Sequence, residues 1–331
     1  MRYVPYDNLG DTPNVIVDGA AAPSTVLSLS HWPKSGSPVW AKADLSAEMA
    51  FRYLDEPSRH VTAEAVSNNH FDQDGLVSVF TLCDPDAARV RRERLIDLAA
   101  AGDFGTYRNR DSARAAMAVA AYDDDEQSPL ADDFAALPYP ARAALLYDTL
   151  LPRVPELIDH VDRFRDLWAA EDESLTASEK ALADGRVRID ESPETKLDLA
   201  VVDVPADAAS ERLHRFTVAI NARVHPFAIA SATRCFRLLY RCGRRYEVQY
   251  RYESWVQLTT RRPAPRVDLT ALAHHLDELE GAHRWTFDGV QQLTPSLRLL
   301  DAGDSSIEPD EFVRLVTTAL RAGPAAWDPY D

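Results

Sequence analysis

The chain has 331 residues, more than one hydrophobic core usually serves, so two packed domains are expected, and its 46% hydrophobic and 27% charged content is that of an ordinary globular protein. A formal charge of −17 repels a phosphate backbone and argues against duplex DNA as a partner. No run of about 18 apolar residues occurs, the start Met1-Arg2-Tyr3-Val4 lacks a leader's apolar stretch, and Cys83, Cys235 and Cys242 are too scattered for a disulfide framework or a structural zinc, so a cytoplasmic protein with no membrane partner is expected.

In chain order, residues 14–18 and 25–30 read as short strands and 44–54 as a helix, the β-then-α rhythm of a mostly parallel sheet with flanking helices. Residues 61–67 read as a further strand and 76–82 as the start of a buried helix. Asp84-Pro85 starts a helix over 86–101, for which Gly102 is a natural stop. Helices over 111–122 and 140–151 flank an acidic loop, 123–133. From Glu156, Leu157, Val161, Phe164 and Trp168 mark one side of a long helix. Asp184-Gly185 ends the helical region, and a domain boundary is placed there: 1–184 is an α/β domain, 185–331 a smaller α+β domain. The second domain is expected to hold strands at 186–189, 197–204 and 216–221 and a hairpin of 236–241 with 246–258, closed by helices over 268–280 and 309–322.

His70-Phe71-Asp72-Gln73-Asp74-Gly75 falls between a strand end and a helix start, where open α/β sheets place ligands. In an extended stretch the alternating His70, Asp72 and Asp74 leave the backbone on one side and converge. One imidazole and two carboxylates suit Mn²⁺ or Mg²⁺ better than a structural zinc, Gly75 permits a close approach, and the free N–H groups of the next helix attract phosphate. His70, Asp72 and Asp74 are therefore expected metal ligands, with Asp74 also catalytic. The same residues fit a plainer role, in which Asp74 only caps the helix while Asp72 and His70 are solvated turn residues. An EF-hand is excluded, because aligning Gly75 with the loop glycine puts His70 at the first ligand position and Thr81 where a bidentate glutamate belongs.

The string His70-x-Asp72-x-Asp74-Gly75-x-x-Ser78 resembles the first motif of the DHH phosphoesterase superfamily. The resemblance implies a two-domain α/β enzyme in which Asp and His side chains hold two Mn²⁺ ions that activate water against a phosphate ester. It also makes Asp103, in Gly102-Asp103-Phe104-Gly105, a metal ligand in place of the second motif's Asp, although here it follows a helix. The Asp-His-His that names the superfamily has no counterpart at a strand end. Asp159-His160-Val161 falls inside the amphipathic helix, His274 and His275 point about 100° apart on theirs, and Asp203, after the strand at 197–202, is the substitute. The wider pattern, Ser30-His31-Trp32-Pro33 with Tyr252-Glu253-Ser254-Trp255-Val256, is similar to a bacterial family of unknown function.

His31 ends a strand and is expected at the same sheet edge as a metal ligand or general acid, the alternative being a histidine packed on Trp32. Between Arg234 and Arg266 nine arginines face two acids, Glu247 and Glu253, a local excess of +7. Arg251, Arg261 and Arg262 are expected to hold a substrate phosphate, or else the stretch pairs with the acidic surface of the first domain. No Gly-x-Ser-x-Gly, His-Glu-x-x-His, Gly-x-Gly-x-x-Gly or Gly-Lys-Ser/Thr loop occurs, which removes the usual serine hydrolases, zincins, Rossmann dehydrogenases and P-loop NTPases. The expectation is a metal-dependent phosphoesterase for a small phosphorylated compound or short nucleotide, with homo-oligomer formation left open. The alternative is a non-catalytic nucleotide-binding or interaction protein on a DHH-like fold.

Overall fold

The computed structural model describes every residue except 135–136, 193–195, 207–222 and 302, so the strand expected over 216–221 lies outside the described residues. The fold is mixed α/β. The chain divides into two compact units, Met1–Asp172 with Gln257–Arg261, and Glu173–Val256 with Arg262–Asp331.

In the first unit β1 (Arg2–Tyr3), β2 (Asn14–Val17), β3 (Thr25–Leu29) and β4 (Ala65–Ser67) form a sheet in the order β1-β4-β2-β3, every pair parallel. Every residue of β2 and β4 is buried, as the Val15-Ile16-Val17 run predicts for an inner strand covered on both faces. Because the strands run the same way, the residues following β2, β3 and β4 emerge at one edge. Those residues include Asp18, His31 and His70.

Helix α1 (Ser46–Asp55) follows β3, and α2 (Gln73–Cys83) follows β4. From Gln73 to Leu82 α2 is buried throughout, its polar Gln73, Asp74, Ser78 and Thr81 included. The helix expected over 86–101 is instead α3 (Pro85–Arg89) and α4 (Arg92–Phe104), and α4 runs straight through Gly102 to end at Gly105, whose φ of 66° makes the left-handed cap. Gly102 is there for packing: a Cβ on it would lie 2.4 Å from Cβ of Gln73. Asp103 consequently sits in the last turn of α4. Then come α5 (Arg110–Tyr122), α6 (Ala131–Phe134), α7 (Tyr139–Leu150), α8 (Val154–Asp159) and α9 (Arg165–Ala183). The single long helix expected from Glu156 is broken at His160 (φ −141°, ψ 50°), so Asp159-His160 is a helix terminus rather than a mid-helix pair.

The second unit is built on a six-stranded mixed sheet. Its members are β5 (Arg188–Glu191), β6 (Leu199–Asp203), β7 (Arg237–Cys242), β8 (Arg245–Tyr250), then β10 (Trp285–Phe287) and β11 (Ser296–Leu299), in the order β10-β11-β8-β7-β6-β5. Among its described strands only β6 and β7 pair in parallel. β9 (Arg266–Val267) and β12 (Ala325–Trp327) make a separate antiparallel pair. Helices α10 (Pro226–Ala232), α11 (Thr270–Glu280) and α12 (Pro309–Ala322) also belong to the unit. One face of the sheet buries Leu239, Val248, Tyr246 and Trp285 against Leu276 and Phe312. Among the described residues no helix is long and apolar enough to cross a membrane.

Candidate metal centre

The site is assembled at the carboxyl edge of the parallel sheet. Directly after β2, Asp18 takes a left-handed φ of 47°, which Asp tolerates better than most side chains, and its N–H donates to Leu29 O at 3.0 Å. The turn that follows is close-packed: a Cβ on Gly19 would lie 2.2 Å from Asn69 Oδ1, and that oxygen accepts from Ala20 N at 3.0 Å. His31 follows β3, with Nδ1 2.7 Å from Asp44 O. A carbonyl oxygen can only accept, so Nδ1 carries the proton and Nε2 faces the cluster.

His70 is held by its backbone. Its N–H donates to Asn68 Oδ1 at 3.1 Å, its carbonyl accepts from Tyr147 Oη at 3.0 Å, and Trp32 stacks on its ring with centroids 5.1 Å apart. Asp72 is the N-cap of α2, accepting Gly75 N at 2.8 Å. Asp74 lies inside the first turn and turns to α1, where its oxygens accept from Ser46 N at 2.8 Å and Ala47 N at 2.7 Å. The cap expected of Asp74 on its own helix thus belongs to Asp72. The three residues do not fan out from one extended stretch either, since Asp72 is extended but Asp74 is helical.

What joins them is Asp18. One of its oxygens lies 3.3 Å from His31 Nε2 and accepts from Ser46 Oγ at 2.9 Å, while the other lies 3.4 Å from His70 Nε2. His70 Nε2 is also 3.0 Å from Asp72, and His31 Nε2 is 4.0 Å from Asp74 and 3.6 Å from Asp103. Two groups of ligand-type side chains result, Asp18 with His70 and Asp72, and Asp18 with His31 and Asp74, the ligand atoms in each within 4.8 Å of one another. Asp18 was not singled out from sequence. Its signal was there: a carboxylate immediately after the most apolar strand of the unit.

The electrostatics are those of crowded acids balanced by two imidazoles. Burial alone would lower His31, but the Asp18 and Asp74 carboxylates outweigh it and raise the imidazole to about 9. His70 is likewise lifted well above its ordinary value, burial opposing and Asp72 and Asp18 prevailing. Burial and the neighbouring Asp18 push Asp74 well above the usual carboxylate range, against the pull of His31. The donor set fits a divalent cation on its own chemistry. Imidazole nitrogens and carboxylate oxygens converge, and among the described residues the buried Oδ2 of Asp18 has no contact closer than its 3.4 Å approach to His70 Nε2.

The other residues named from sequence are not members of the two ligand groups. Arg261 belongs to the first unit, Arg251 and Arg262 to the second. Arg251 is buried, paired with Glu253 and donating to Thr233 O at 3.0 Å, and the exposed Arg262 donates to Asp328 at 2.7 Å and lies over Tyr330. Asp203 forms a two-pronged pair with Arg241 at 2.6 and 2.9 Å. Asp159 is bound by Arg91 and Arg94, and His275 faces Glu278 at 3.4 Å on α11.

No curated protein and no solved structure matches the chain. A family model covers the whole of it, residues 1–331, and on that match the chain belongs to DUF6687, a family of unknown function.

Proposed function

We propose that the chain is a metal-dependent phosphoesterase or phosphohydrolase acting on a small phosphorylated compound or short nucleotide. The observation that carries this reading is that Asp18 belongs to two ligand groups, buried except for the partly exposed His70, a donor set that would suit two divalent cations. Asp18, His70 and Asp72 would hold one Mn²⁺ or Mg²⁺ ion, and Asp18, His31 and Asp74 the other. Asp103, beside His31, is a further ligand candidate. A divalent cation bound there supplies Lewis acidity toward a phosphate oxygen and acidifies water.

The rest is done by the chain's own groups. His31, Asp18, Asp74 and Asp103 have side chains no more than 2% exposed, Asp72 is 8% and His70 20%, so substrate approaches from the His70 side, where Trp32 stacks. Arg261, whose guanidinium chemistry suits a phosphate, shares the cluster's unit. The resemblance of His70 to Ser78 to the first DHH motif supports the same chemistry, and three cysteines without a disulfide suit a reducing cytoplasm. The test is turnover. With Mn²⁺ supplied, wild type should hydrolyse a member of a panel of phosphomonoesters, short oligonucleotides and cyclic dinucleotides, and Asp72→Asn should lose at least about 100-fold. A nucleotide that raises the melting temperature without being turned over would instead favour a non-catalytic binding protein.

A further inference from the structure

Asp44 makes two kinds of contact at once. Its carbonyl oxygen lies 2.7 Å from His31 Nδ1. Its carboxylate accepts from Thr259 N at 2.6 Å, Thr259 Oγ1 at 2.9 Å, Thr260 N at 3.0 Å and the Thr260 hydroxyl. The same distant segment donates Gln257 N to His31 O at 2.8 Å, and Lys42 Nζ reaches Gln257 Oε1 at 3.0 Å. Residues 257–261 therefore grip both His31 and the residue that orients it.

We propose that Asp44, clamped by Thr259 and Thr260, is a positioning residue that sets the ring of His31. Side-chain torsion alone would let an imidazole turn about Cβ–Cγ and offer either nitrogen. A fixed carbonyl at Nδ1 removes that freedom and leaves Nε2 toward Asp18, Asp74 and Asp103. The carbonyl is fixed because the residue bearing it is anchored by four donors on its carboxylate and by its own N–H, which donates to Glu48 at 3.2 Å. An outer contact of this kind raises metal affinity by holding a ligand ready. The consequence for metal rests on the reading of the cluster as a metal centre, whereas the ring orientation does not.

The experiment uses the full chain, ¹⁵N-labelled at histidine, with Mn²⁺ alone as the titrant and the Nδ1–H proton of His31 read by NMR in the metal-free protein. Asp44→Ala should weaken Mn²⁺ binding by about 10-fold or more, and the His31 Nδ1–H resonance should broaden or vanish. Asp44→Asn keeps an oxygen for the two backbone donors and should restore both readouts. If Asp44→Ala does not fold, the double variant Thr259→Val/Thr260→Val, which removes both hydroxyl donors, should move the readouts the same way to a smaller extent. Unchanged affinity and an unchanged resonance in folded Asp44→Ala overturn the assignment. If wild type binds no Mn²⁺, the metal-centre reading falls separately, and the resonance decides alone: sharp in wild type and lost in Asp44→Ala upholds the positioning role, sharp in both ends it.

Discussion

Asp72 and Asp74 are two residues apart, yet their carboxylates cap different helices: Asp72 takes Gly75 N of α2, and Asp74 takes Ser46 N and Ala47 N of α1. The metal-free stabilities of the two Asn variants should therefore separate. Asp74→Asn leaves one buried N–H of α1 facing an amide NH₂ and should cost about 1–3 kcal/mol, of which relief of repulsion from Asp18 returns only part. Asp72→Asn keeps an oxygen toward Gly75, weakens the contact with the partly exposed His70, and should cost about 0.5–1 kcal/mol. Thermal melts in chelator measure both, and equal shifts would refute the division of labour.

Asp18 lies between His31 and His70, so its loss should be felt by both ligand groups. Asp18→Asn is expected to lower Mn²⁺ affinity for every ion bound by at least about 10-fold. His31→Gln, which touches one group, should spare one ion. Metal content after purification without chelators, followed by calorimetric titration, distinguishes them. An Asp18→Asn protein that keeps the wild-type complement would leave the shared carboxylate without a role.

The link between α5 and the start of α9 should be sensitive to acid. Burial would raise Asp172, but Arg114, 3.1 Å away, and Arg110, 2.5 Å away, outweigh it and hold the acid below the usual carboxylate range. A depressed folded value means stability that is complete above the unfolded value of about 3.9 and lost as pH falls through the folded one. Asp172→Asn should cost about 1 kcal/mol at pH 7 after allowance for solvent screening. Urea melts of both proteins from pH 7 to pH 2 should show that gap closing below about pH 4. A gap of constant size across the range would mean that the ion pairs contribute nothing.

How much of this was legible beforehand depended on whether a feature is local. The parallel strands were readable because Val15-Ile16-Val17 and Ala65-Val66 are short apolar runs between turn residues, and the helix at Gln73–Cys83 because Leu76 to Leu82 is mostly apolar. The loop carrying His70 and Asp72 falls between β4 and α2, where the pattern placed it. The roles inside it were not readable, because whether Asp74 is extended or already helical is decided by α1, which offers its N-terminus as a partner. Gly102 looked like a stop because the pressure on it comes from Gln73, a neighbour only in three dimensions. Asp18-Gly19 looked like any turn, since a carboxylate there gains meaning only when parallel pairing brings His31 and His70 beside it. β10 and β11, of three and four residues, are too short to show a period.

The segment Gln257–Arg261 also bears on the order in which the molecule is made. During synthesis the sheet and helices of the first unit emerge early, but the donors that hold Asp44 are encoded beyond most of the second unit. Until Arg261 has left the ribosome, the frame around His31 cannot close, however complete the sheet beneath it. The nascent protein therefore passes through a period in which its acidic cluster is present but its histidine is unset, and a gene fragment stopped at Asp172 would remain in that condition permanently.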